Sequence, residues 1–362
     1  MSRSGNAFAV GIELDGEGYH PAAWRRAAHA PDAFLTGATL RKRVSAAENA
    51  GFTLATFDDS ILPPAGHPAA RIDAVTRASF VAATTSTIGL VATVATTYAE
   101  PFHTSSQLAT LDYASRGRGG WIATTIADPA AAITWGRPAR GTEPELAREQ
   151  RDSIEVARRL WDSWEDDAVV RDYAKSRFLD RDKLHYIDFS GETFSVQGPA
   201  IVPRPPQGQV VVFADGTTES GEADVILVTG HDLAQILAAA DRARATGALV
   251  FAELDVALDI PHATAAERLT ALDEYQTANP TGHLTFSGAP IELVRLITEL
   301  AHHVDGVRLH PAVIDEDLSA LARYVLPALF RSGVTHRPVP GSTLRANLGL
   351  IRPINRYAKD QQ

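Results

Sequence analysis

Short apolar runs alternate with longer stretches of helical periodicity along almost the whole chain. The run Ala7–Leu14 and the stretches "FTLATFDDS", "STIGLVATVATT" and "GRGGWIATT" are apolar at consecutive positions rather than at every second one. That pattern predicts strands covered on both faces, as in a parallel sheet. Four more follow in "QVVVFADG", "ADVILVTG", "ALVFAELDV" and "DGVRLHPAV". Helical patterns lie between them, among them "ATLRKRVSAAENAG" closed by Gly51, "IDAVTRASFVAATT", and "PFHTSSQLATLDYASRG" with Pro101 in its first turn. "EPELAREQRDSIEVARRLWDSW", "HDLAQILAAADRARATG", "PIELVRLITELAHHV" and "DEDLSALARYVLPALFRSG" continue the series.

Strand and helix alternate eight times, and eight units in this length predict an α/β fold: a closed (β/α)8 TIM barrel, one domain over residues 1–362. One segment breaks the rhythm. Residues 162–208 are polar and punctuated by proline, with a short strand pattern in "ETFSV". The segment is too long for a connection and reads as an insertion between the fourth helix and the fifth strand.

Composition narrows the chemistry. The chain has no cysteine, which excludes disulfides, thiolate metal sites and a cysteine nucleophile, and fits a reducing cytoplasm. A net charge of −10 opposes binding to nucleic acid or to an anionic membrane surface. No apolar run reaches membrane-span length and the start carries no secretory pattern, so the expected location is cytoplasmic. No HExxH, GxSxG or GxGxxG motif occurs, and no metal site is expected.

Barrel chemistry gathers at the C-terminal ends of strands. Those ends carry Glu13, Asp15, Asp58, Asp59, Thr93, Thr96, Thr97, Thr124, Thr125, Asp215, Glu253, Asp255, Arg308 and His310. Hydroxyls and glycine turns suit a large polar cofactor. In "ADGTTESG", Gly216, Thr217 and Thr218 follow a strand, where free amides and hydroxyls hold a phosphate or simply cap a turn. His20 follows the first strand and His103 opens the helix after the third; each is either a structural histidine or a hydrogen-bond donor to a ligand. Glu13 with Glu253 is a second option, as a carboxylate pair for hydrolysis.

The block "TSTIGLVATVATTYAEPFHTSSQLATLDYASRGRGGW" resembles the centre of the bacterial luciferase-like flavin-dependent monooxygenases, closest to the nitrilotriacetate and dibenzothiophene-sulfone branch. "GYHPAAWR", "DRDKLHYIDFSGETFSVQGPAIVPRPPQG" and "GSTLRANLGLIRP" resemble the same branch. The resemblance implies FMN at the barrel mouth, supplied reduced by a separate flavin reductase, with dioxygen and a small organic substrate, and a homodimer. A deazaflavin-dependent oxidoreductase is the nearby variant. By resemblance Asp59, Thr96 and Thr97 lie near the flavin ring, and Gly216, Thr217 and Thr218 hold its phosphate. Thr124 fits the same pocket, and His20 and His103 are the expected contacts to substrate or activated oxygen.

Four departures stand against the family pattern. "WIATT" has Ile122 where the family has Asn or Arg, the helix "EPELAREQRDSIEV" lacks a family Tyr, Asp215 stands where a neutral residue is usual, and "IADPAAAITWGRPARG" is rich in Ala and Pro. They leave open a non-catalytic descendant with weakened flavin binding.

Overall fold

The computed structural model describes residues 8–30, 33–62, 70–215 and 222–358. The expected eight strands are all present: β1 (Ala9–Glu13), β2 (Leu54–Phe57), β3 (Gly89–Ala95), β4 (Gly119–Thr124), β5 (Val211–Asp215), β6 (Val225–Val228), β7 (Leu249–Leu258) and β8 (Gly306–Pro311). They pair in parallel in the order β6, β5, β4, β3, β2, β1, β8, β7, and β7 returns to β6, so the barrel is closed. Strand β7 is twice the length of β1, and its upper half, Leu254–Leu258, also pairs with an extra strand, Leu284–Gly288.

The helices form where the periodicity places them. They include α1 (Ala38–Ala50), α2 (Ala74–Ala82), α3 (Pro101–Ala114), α4 (Pro129–Trp135), α5 (Glu143–Asp162), α6 (Leu233–Arg244), α7 (Ala265–Asp273) and α8 (Pro290–Leu300). Helix α5 starts from a capping box between Thr142 and Glu145, and its buried face runs through Leu146, Ile154, Ala157 and Trp161. The final helical pattern is one run of backbone, Ile314–Arg331, with a wide turn at Leu321–Val325. Pro327 follows that turn and cannot donate a backbone hydrogen bond, so the ladder is re-registered there.

Two expectations need correction. The connection after β4 contains α4, capped by the Asp128 side chain on Ala130 N at 2.8 Å. The strand–helix alternation is also compressed once. Residues 216–224 alone join β5 to β6, fewer than a helical crossover takes. The insertion at 162–208 folds as two small antiparallel pairs, Val169–Asp172 with Arg177–Leu179 and Phe189–Ser190 with Ser195–Val196.

The barrel floor is apolar. Val91, Ile122, Phe213, Leu227 and Phe251 fill it, with the Phe213 and Phe251 rings edge to face at 6.0 Å. Leu344 and Leu348, around a short helix (Leu344–Asn347), close it from below. Gly89 and Gly120 make room for that plug: a Cβ at Gly89 would lie 2.6 Å from Leu344, and one at Gly120 would lie 3.1 Å from it. Ile122 packs with Val91, Phe213 and Leu227 in this floor, and its register partner on β3, Thr93, is where the lining begins to turn polar.

Candidate active site

Above the floor, inward-facing positions turn polar, and the mouth divides into two halves. On β3 and β4 the groups are hydroxyls. Thr96 is bound to Thr124 O through both its amide (2.8 Å) and its hydroxyl (3.1 Å). The Thr97 hydroxyl accepts from Ile126 N at 3.0 Å. These bonds tie the two strand ends together. The hydroxyls of Thr93 and Thr124 are buried and have no hydrogen-bond partner among the described residues.

Residues 126–140 follow β4 and pack on the loops after β2 and β3. Tyr98, held at φ +61°, packs on Ala131 and Ala132; its hydroxyl donates to Pro138 O (3.1 Å) and accepts from Arg140 N (2.9 Å). Trp135 Nε1 donates to Ile61 O at 2.8 Å, and Arg140 pairs with buried Glu149. The Ala/Pro-rich segment after β4 is therefore tied down to the loops that follow β2 and β3.

On β1, β2, β7 and β8 the groups are ionic. Arg308 donates to Glu253 through Nε (3.0 Å) and Nη2 (2.8 Å), and its Nη1 lies 3.7 Å from Glu13. Glu253 also meets His310 Nε2 at 2.6 Å. His283, just before the extra strand, pairs its Nδ1 with Asp255 at 2.8 Å. Glu13 accepts from the Thr56 hydroxyl (2.7 Å) and from Asp58 N (3.1 Å). Together Glu13, Tyr19, Asp58, His283, Arg308 and His310 line a cavity of about 300 Å³.

The two buried glutamates take opposite protonation behaviour. Burial pushes Glu13 up to about 7, against the pull of Arg308 and with help from Asp58 and Asp15. Burial acts on Glu253 the same way, yet Arg308, His310 and His283 outweigh it and hold its carboxyl down at about 2. Burial and the Arg308 charge push the His310 imidazole below its ordinary value.

The sequence-expected residues are thus distributed unevenly. Thr96, Thr97 and Thr124 come together. Asp59 accepts from Ser60 N (2.8 Å) and from Ala74 N (2.7 Å), so it anchors the loop after β2 to the start of α2; burial raises its carboxyl against those two donors. His20 and His103 sit on different elements, the loop after β1 and helix α3. His20 is buried, with Nδ1 accepting from Ala22 N at 3.2 Å and Nε2 facing Asp273 at 3.3 Å. His103 is exposed on the first turn of α3. Gly216, Thr217 and Thr218 lie outside the described residues. The residue that strand-end reasoning missed is His283: its signal was the alternating "HLTFSG", an extra strand beside β7.

Comparison with known proteins gives a consistent result. The family model described as luciferase-like monooxygenase matches residues 19–321. The N-acetyl-S-(2-succino)cysteine monooxygenase of Bacillus subtilis (strain 168) is 27% identical over 441 aligned positions, covering 99% of the chain and 100% of that protein. The nitrilotriacetate monooxygenase component A of Aminobacter aminovorans is 28% identical, covering 82% of each. Among solved structures, a long-chain alkane monooxygenase (LadA) superposes with a TM-score of 0.82 at 20% identity, covering 95% of the chain and 96% of that structure.

Proposed function

The chain belongs to the luciferase-like monooxygenases, an oxygenating class of enzyme, and on that premise we propose that it uses reduced FMN, delivered by a separate flavin reductase, and dioxygen to oxygenate a small organic substrate. The observation that carries the reading is the pair of buried, unpartnered hydroxyls on Thr93 and Thr124. A buried hydroxyl without a partner is unfavourable, and a polar ligand edge relieves it. A flavin's pyrimidine edge offers both donors and acceptors, and a hydroxyl serves either.

Reduced flavin, when bound, supplies the electrons that activate dioxygen. The protein's own residues do the rest. Thr93 and Thr124 hold the ring edge, Thr96 and Thr97 fix the strand ends beneath it, and Asp59 sets the adjacent loop. By the family resemblance, Gly216, Thr217 and Thr218 take the phosphate. Residues 126–140, latched through Tyr98, keep water from the ring. His103 is the imidazole presented to substrate; His20 fixes the loop after β1 against α7. No helix among the described residues is long and apolar enough to cross a membrane. The family resemblance leads to a homodimer, which light scattering tests.

The test is an anaerobic titration with reduced FMN, with a deazaflavin alongside. Saturable binding of reduced FMN that weakens in Thr93→Val and Thr124→Val supports the reading. Preference for the deazaflavin moves the chemistry to hydride transfer, and binding of neither overturns the enzyme reading in favour of a non-catalytic descendant.

A further inference from the structure

The ionic half of the mouth is not used by the flavin reading, and it contains a ligand set of its own. We propose that Glu253, His283 and His310 form a binding site for one divalent transition ion of the zinc type. One ligand atom from each residue lies within 4.8 Å of the others. Two imidazoles and one carboxylate on a rigid frame are a donor set that such ions take, with open positions left for a small ligand. Imidazole donors argue against Mg²⁺ and Ca²⁺, which prefer oxygen.

Three features make the set more than a chance cluster. His283 directs Nδ1 to Asp255 at 2.8 Å, and Asp255 is itself bound by the Thr281 hydroxyl. That carboxylate–histidine pair leaves Nε2, 3.8 Å from Glu253, as the ring's lone-pair donor. Glu253 has one oxygen, Oε1, buried with no partner among the described residues. The frame is stiff: Glu253 on β7 and His310 on β8 stand on adjacent barrel strands, and His283 leads into the strand paired to β7.

Arg308 is the competing cation, because it occupies the same Glu253 carboxylate. It also has somewhere else to go. Its Nη1 makes no hydrogen bond among the described residues and lies 3.7 Å from Glu13. An ion at Glu253 releases the guanidinium toward Glu13, so the two carboxylates share two cations between them. The site therefore binds metal with Arg308 moved across the cavity.

The experiment is a Co²⁺ titration of the purified chain without flavin or substrate, followed by visible d–d absorption and by displacement with Zn²⁺. The expected result is one equivalent bound, bands lost in His283→Ala and in His310→Ala, and affinity reduced about 10- to 100-fold in Asp255→Asn. Circular dichroism checks that each variant is folded. His283 is partly exposed at the rim, so His283→Ala alone decides if the His310 variant does not fold. Absence of saturable Co²⁺ binding, or bands unchanged in folded His283→Ala, overturns the site. Neither outcome touches the flavin reading, which is measured on the other half of the mouth.

Discussion

The two halves of the barrel mouth are made of the same kind of element and end in chemically opposite ways. On β3 and β4 the groups are neutral hydroxyls, two of them bonded into the frame and two left without partners. On β1, β7 and β8 they are charges that satisfy one another: Arg308 with Glu253, His310 with Glu253, and Glu13 held in reserve. A neutral group stays buried and unpartnered at a cost of about 1–3 kcal/mol, whereas an isolated buried charge costs several times more. The hydroxyl half can therefore wait for a ligand, and the ionic half has to be self-neutralising before any ligand arrives.

The strongest challenge to that contrast is Glu253→Gln. It leaves Arg308 buried without its main counter-charge, and we expect a loss of about 3–5 kcal/mol in urea unfolding. The matched change in the other half, Thr124→Val, removes a buried hydroxyl with no partner among the described residues, so its stability should hold or rise, by up to about 1–3 kcal/mol. Equal losses would abolish the distinction.

Next in size is the pH dependence. Glu13 is raised from 4.5 to about 7, so its contribution is full below pH 4.5 and disappears as pH rises through 7, on the order of 3 kcal/mol in all. Glu253 is lowered to about 2, so its contribution is present above pH 4.5 and is lost as pH falls toward 2. Glu13→Gln should flatten the loss of stability between pH 5 and 8 and leave the acid limb in place, measured as unfolding midpoints across pH. An unchanged slope between pH 5 and 8 would mean that Glu13 is ionised throughout.

Ile122→Asn then asks where the floor begins. Ile122 is buried among Val91, Phe213 and Leu227, so the variant should lose about 2–4 kcal/mol by thermal unfolding. A neutral result would place a polar layer lower than the structure does. The smallest effect is on the ligand itself: Thr93→Val and Thr124→Val should each weaken reduced FMN by roughly fivefold to tenfold, about 1 kcal/mol, in fluorescence titration.

Much of this frame was legible in the sequence because its signals are local. Each barrel strand announced itself as a consecutive apolar run, and Thr96, Thr97 and Thr124 fell at strand ends where the fold puts chemistry. What escaped was non-local. Glu13 and Glu253 read as a carboxylate pair because nothing in the sequence says that Arg308 stands between them. His283 precedes a strand added outside the regular alternation, so counting strand–helix units passed it by. Helix α4 escaped because Ala and Pro carry little amphipathic pattern, although Asp128 and Pro129 form an ordinary helix start. Ile122 looked like a lost ligand contact from the sequence, and the structure gives it a packing partner in Phe213 instead.

The plug beneath the floor bears on how the protein is made. Synthesis runs from the first residue to the last, and the leucines that seal the barrel, Leu344 and Leu348, come after all eight strands. At ordinary translation speeds roughly 5–20 s pass between Phe251 and Leu344. During that interval a growing chain can assemble most of its sheet yet still present an unsealed hydrophobic throat on the ribosome. Such a nascent chain is a natural client for chaperones, and ribosomes stalled shortly before Leu344 should carry it in that unsealed state.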